Sequence, residues 1–234
     1  MDAFSALFGS DRSEIAPTCV LLPYARKNVL GWLGVSSLSR GRLYQTGRGD
    51  GFSAVQTGMG AVYLGDAVLY LAEAGAKNFV LFSACGLLSP RPDDEIGSLL
   101  VPRVCSDLGR RQDVGGAARY AAASPDPGLL RLLLSCPGAR EVAAASVGSL
   151  KDVEENPERL RRSGIEAVDL ECAALFSAAR ETRSRAGALL YVTDIPGVLP
   201  HYRAVSPAER GALFLKVRRA AEWLRTSIGA KLSA

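Results

Sequence analysis

The stretch Gly164–Phe176 reads GIEAVDLECAALF. Ile165 to Val168 forms a short apolar strand that runs directly into a helix rich in alanine and leucine. Two carboxylates, Asp169 and Glu171, sit at the changeover. An acid at the start of a helix is favoured by the partial positive charge there, which accounts for one of the two. Glu171 is followed at once by CAALF, a segment without a polar side chain beyond its thiol. A carboxylate sunk among apolar residues is costly unless something pairs with it. Glu171 therefore reads as a residue pointing into a pocket, where it accepts hydrogen bonds from a ligand's hydroxyls.

Strand and helix signals alternate along the whole chain. Thr18 to Leu22 (TCVLL), between Pro17 and Pro23, suits a buried first strand. The cationic turn Tyr24-Ala25-Arg26-Lys27 follows; an anion site and a solvated turn both fit it. Arg40 to Gly51 (RGRLYQTGRGDG) reads as a loop or hairpin. Phe52 to Thr57 is a strand entering Gly58-Met59-Gly60, with a helix from about Ala61 to Ala74. A glycine-rich turn of this kind exposes backbone N–H groups at a helix start. It lacks the spacing of a dinucleotide fingerprint.

Asn78 to Ser83 is a further buried strand, ending in the small residues Ala84-Cys85-Gly86, where a ligand can approach closely. Ile96 to Val104 and Glu141 to Val147 read as strands. Arg110 to Pro127 reads as a surface excursion, Gly128 to Ser135 as a short helix, and Asp152 to Ser163 as one exposed helix. Ala188 to Val192 delivers Thr193 and Asp194 to the end of a buried strand. Ser206-Pro207-Ala208-Glu209 opens the last helix, to about Ser227, with Ser206 as cap and Glu209 three residues on. Arg210 lies in its first turn, where a cation opposes the helix dipole and calls for a nearby carboxylate; Asp194 is the expected partner.

The expectation is one α/β domain over residues 1–234, with a central mixed but largely parallel twisted sheet flanked by helices. Composition fits it: 22% of residues are charged, too few for extensive disorder. A net charge of +4 is too small and dispersed for a nucleic-acid binder, though it suits anionic substrates. The basic residues Arg218, Arg219, Arg225 and Lys231 read as the solvated face of the terminal helix. The five cysteines are scattered, with no CxxC pair, so neither a zinc site nor a disulfide framework is expected. The single histidine, His201, excludes any site that needs two. With no signal peptide and no apolar run of membrane-spanning length, the expected location is cytoplasmic.

From about Thr18 to Leu224 the chain resembles the purine and uridine phosphorylase family of nucleoside phosphorylases, related to the methylthioadenosine/adenosylhomocysteine nucleosidases. VDLECAAL looks like the family's V-E-M-E-A-A-x segment. The resemblance implies that Glu171 holds the ribose 2′- and 3′-hydroxyls and that Leu170 lies against the sugar. VTD at 192–194 looks like V-S-D, which implies that Asp194, beside Thr193, protonates a purine at N7. SPAER resembles A-A-E-R, making Arg210 the partner that orients this aspartate. GMG fits the family's glycine turn, with Met59 against the ribose and Gly58 toward phosphate. RGRLYQTG resembles R-G-M-L-x-x-T-G, so Arg40 would reach phosphate in a neighbouring subunit. Arg26 stands near another phosphate-binding arginine.

The resemblance also implies a three-layer sandwich, a nucleoside and phosphate as small-molecule partners, no cofactor, and a homodimer or a hexamer built from dimers. Two departures fall on the phosphate site. Where the family carries R-x-G-[ST]-x-G the chain has LFSACG, so Leu81 replaces an arginine and Ala84 a hydroxyl, with Ser83 one residue early. The first strand lacks G-D-P before its arginine. Uridine-specific relatives carry a Gln and Arg pair after the fifth strand; Ser149-Leu150-Lys151-Asp152 shows no match, which points toward a purine. His201 reads either as reaching the base or the 5′ end or as a surface residue. Phosphorolysis is the expected reaction. Hydrolysis and a non-catalytic nucleoside-binding homologue are the alternatives.

Overall fold

Apolar runs bounded by proline or glycine become the central strands. The computed structural model describes residues 2–109 and 122–232. In chain order the elements are α1 (Ala3–Phe8), β1 (Thr18–Leu22), α2 (Lys27–Trp32), β2 (Ser39–Arg40), β3 (Gln45–Arg48), β4 (Ser53–Gln56) and α3 (Ala61–Glu73). Then come β5 (Asn78–Leu87), β6 (Leu99–Leu108), β7 (Ala122–Ala123), α4 (Pro127–Leu134), β8 (Ala139–Val147), α5 (Leu150–Glu155) and α6 (Pro157–Arg162). The last are β9 (Ala167–Asp169), α7 (Cys172–Glu181), β10 (Arg185–Asp194) and α8 (Pro207–Leu232).

The chain is a mixed α/β protein built on one sheet, in the order β10-β6-β8-β9-β5-β1-β4-β3-β2. Because β10 also pairs with β5, the five strands β5, β10, β6, β8 and β9 close into a barrel-like ring. Parallel pairings (β1 with β4 and β5, β5 with β10, β8 with β6 and β9) are matched by antiparallel ones (β2–β3, β3–β4, β5–β9, β6–β7, β6–β10). The expected mixed sheet flanked by helices is present, and its longest pairings, β5 with β10 and β6 with β8, are parallel; the closed ring is the feature that a three-layer sandwich does not describe. Short strands such as β9 pair antiparallel with β5 and parallel with β8, and this lets the sheet curl shut.

Strand alternation divides the core. Cys19 and Leu21 of β1, with Phe79 and Leu81 of β5, pack toward α1, α3 and α7. Val20 and Leu22, with Val80 and Phe82, pack toward α2, α4 and α8. Burial on both faces explains why these strands are apolar throughout. All five cysteines are buried and free. Among the described residues no helix is long and apolar enough to cross a membrane.

Several boundaries differ from expectation. β5 continues through Ala84-Cys85-Gly86 to Leu87, and β6 runs on to Leu108. The single helix expected over 152–163 is two, because Pro157 starts a new helix and pushes Asn156 out of helical geometry, at φ −134° and ψ 41°. The last helix extends beyond Ser227 to Leu232. Of the expected excursion from Arg110, residues 110–121 lie outside the described residues. The Ser206 cap forms as read: Glu209 N–H donates to Ser206 Oγ at 3.3 Å and Ser206 N–H to Glu209 Oε2 at 2.8 Å.

Candidate active site

The β9–α7 junction gives its two acids different partners. Asp169 is the helix-start acid: its Oδ2 accepts from the N–H groups of Glu171 at 3.0 Å and Cys172 at 2.7 Å. Ser146 Oγ on β8 donates to Asp169 Oδ1 at 2.6 Å and accepts from Ala173 N–H at 2.8 Å. Glu171 is thereby left for another partner. Its Oε1 accepts from Gly60 N–H at 2.7 Å, at the start of α3. Gly60 adopts φ +103°, a conformation that favours glycine, so the GMG turn is shaped to aim this N–H.

Glu171 is only 2% exposed. Burial, helped by the neighbouring Asp169 charge, pushes its carboxyl up to about 7, against the Gly60 hydrogen bond that favours the charged form. Asp194 is likewise raised by burial, with Glu154 adding to the rise and Thr193 and His201 opposing it.

Asp194 owes its position to a β-bulge. In the pairing of β10 with β5, Val192 lies opposite Cys85, but Asp194 lies opposite Gly86. The extra residue turns both Thr193 and Asp194 to the same side, which simple alternation forbids. Thr193 Oγ1 donates to Asp194 Oδ1 at 2.9 Å and also lies 3.3 Å from the Cys85 carbonyl. Gly86 makes room: a Cβ there would sit 2.8 Å from Asp194 Oδ2.

These groups open onto one cavity of about 430 Å³. It lies at the C-terminal ends of β1, β5 and β10, beside the start of α7. Leu170, Glu171, Met59, Thr193 and Asp194 line it, as do Arg26, Ser83 and Arg210. Its outer wall is apolar, with Trp32 and Phe214 edge to face at 4.7 Å. Arg40, exposed on the edge strand β2, and Gly58 do not line it. Of the two departures on β5, Ala84 lines the cavity, whereas Leu81 is fully buried in the core beneath.

Arg210 reaches the cavity but is not paired with Asp194. Its guanidinium donates to the Val205 carbonyl at 3.4 Å, across the turn that opens α8. The groups that act electrostatically on Asp194 are His201 and Glu154. His201 Nδ1 lies 2.9 Å from Glu154 Oε1, and both residues line the cavity. Glu154 was hidden in the polar run KDVEENPERLRR. A signal existed in the spacing of Leu150, Val153 and Glu154, which places all three on one helical face, the face that lines the cavity.

A family model described as the phosphorylase superfamily matches residues 21–220. No curated protein is significantly similar to the chain. Solved structures are. A uridine phosphorylase from Vibrio fischeri is 19% identical, with 93% of each chain covered and a TM-score of 0.73. A 5′-methylthioadenosine/S-adenosyl homocysteine nucleosidase from Campylobacter jejuni is 14% identical, covering 92% of this chain and 99% of its own, with a TM-score of 0.71. An AMP nucleosidase from Bacteroides thetaiotaomicron is 17% identical, with 94% of each covered and a TM-score of 0.66. Similarity at this level establishes a common fold, and proteins named for phosphorolysis and for hydrolysis share it. The family match spans all but the ends of the chain, which therefore belongs to the phosphorylase superfamily.

Proposed function

We propose that the protein is a nucleoside phosphorylase that cleaves a purine nucleoside with phosphate to free base and ribose 1-phosphate. The observation that carries the reading is that Glu171 and Asp194, from separate elements, face one cavity that also holds Arg26 and Ser83. Glu171 accepts from the ribose 2′- and 3′-hydroxyls, with Leu170 and Met59 against the sugar. Those donors favour its ionised form, so binding draws its carboxyl down from about 7. Asp194, whose burial favours the protonated form, gives its proton to N7. The bond from C1′ to the base breaks with its electrons going to the base, and a phosphate oxygen forms the new bond to C1′.

Arg26, at the β1–α2 turn, and Ser83 supply the phosphate contacts. Arg40, remote from its own cavity, serves that of a second subunit in a dimer. Arg210 acts on the cavity as a cation rather than as a clamp on Asp194. No cofactor is required.

A second reading, hydrolysis, draws on the buried Leu81 and on Ala84, which leave the phosphate side short of ligands. Against it, the β1–α2 turn brings Arg26 to the cavity and no acid that could activate water. Base release from adenosine, inosine and methylthioadenosine, with and without phosphate, distinguishes the readings. Phosphate-dependent release is expected, and Arg26→Ala should raise the KM for phosphate by about ten-fold or more. Release that ignores phosphate would overturn phosphorolysis, and binding without release would overturn catalysis.

A further inference from the structure

We propose that Glu154 selects the base, accepting a hydrogen bond from the 6-amino group of a 6-aminopurine. The inference rests on the nucleoside reading of the cavity given above. Glu154 projects from α5 beside Leu150 and Val153, and its side chain is only 13% exposed. His201 holds one of its oxygens twice: the backbone N–H donates to Oε1 at 3.2 Å, and Nδ1 lies 2.9 Å from the same atom. Among the described residues no other donor reaches this carboxylate, so Oε2 is left for a ligand. An ionised carboxylate can only accept.

Asp194 lines the same cavity and feels the Glu154 charge. Its Oδ1 is occupied by Thr193, and its Oδ2 lies over Gly86. A protonated Asp194 that donates to N7 fixes a purine by the edge that also carries the 6-substituent. Along that edge a 6-aminopurine shows an acceptor and then a donor, whereas a 6-oxopurine shows two acceptors. The two carboxyls offer a donor and then an acceptor, which complements the amino form alone. A 6-carbonyl would face a carboxylate with no proton between them.

The test is the ratio of kcat/KM for adenosine over inosine, in the presence of phosphate. The wild type is expected to favour adenosine by roughly 10- to 100-fold. In Glu154→Gln, whose amide can turn its N–H2 toward O6, the ratio should fall by about ten-fold or more, with inosine turnover rising. Equal turnover of both nucleosides by the wild type, or an equal loss on both in the variant, overturns the assignment. Glu154→Ala serves if the glutamine variant does not fold: it should lose adenosine turnover selectively. If no nucleoside releases its base, the catalytic reading fails by itself. Calorimetric titration with adenine and hypoxanthine then decides. A preference for adenine that Glu154→Gln abolishes upholds the assignment, and equal or absent binding overturns it.

Discussion

Gly86→Ala should slow the chemistry while leaving the fold standing. Gly86 pairs with Val168 on β9 and with Asp194 on β10. It is not among the glycines of positive φ, so alanine meets no backbone penalty. The added Cβ would lie 2.8 Å from Asp194 Oδ2, 3.1 Å from Val168 Cγ2 and 3.4 Å from Pro196 Cγ. Ordinary contact begins at 3.4 Å, so the carboxyl must retreat by about 0.6 Å. A misplacement of about 1 Å can cost roughly 100-fold in rate. A shift of this size therefore predicts a loss on the order of ten-fold in kcat, or about 1.4 kcal/mol. The tight Val168 contact should cost about 1 kcal/mol of stability, a modest change in the melting temperature. The assay is steady-state base release by wild type, Gly86→Ala, Asp194→Asn and the double variant. If the methyl acts through Asp194, the double variant is no slower than Asp194→Asn alone. Losses that multiply would refute the argument, and so would full activity in Gly86→Ala.

Glu171 sets a pH dependence of stability. Its carboxyl titrates at about 7 in the fold, against an ordinary value of 4.5. Between these values the folded chain holds the extra proton, so stability falls as pH rises through that window, by roughly 2–4 kcal/mol in all. Below the window the loss is absent. Melting curves of Glu171→Gln should be flatter across it than those of the wild type; parallel profiles would show the burial argument to be wrong. Ser146→Ala removes the 2.6 Å donor to Asp169 and the acceptor for Ala173 N–H, both buried. It should destabilise the protein by about 2–3 kcal/mol and weaken nucleoside binding through Glu171, whose N–H Asp169 holds. An unchanged melting temperature would remove Ser146 from that role.

Much of the site was legible because its signals are local. GIEAVDLECAALF announces a strand, a helix and a carboxylate in an apolar setting; in the structure both acids line the cavity, Asp169 held by the helix-start N–H groups and Glu171 by Gly60 N–H. Ser206-Pro207-Ala208-Glu209 carried its own cap. Arg210 was legible as a cation in an unfavourable place, but the partner inferred for it was not the one it has. Its side chain reaches the turn below it at Val205, while Asp194 is satisfied by the adjacent Thr193. Sequence spacing could not rank a neighbouring hydroxyl above a distant charge. Glu154 is not legible in the sequence, because the charge around it masks a three-residue face.

The amino-acid order alone determined which segments are strands buried on both faces, which turns need glycine, and which carboxylates are too apolar in setting to be solvated. Those are properties of a few consecutive residues and their hydration. Only the tertiary structure decided that β10 closes the ring between β5 and β6, and that its bulge opposite Gly86 turns Thr193 and Asp194 to one side. The same holds for the His201 loop meeting α5 beside them. Each depends on strand register and on contacts between residues far apart in the chain, where the energy resides in the pairing and no local pattern encodes it.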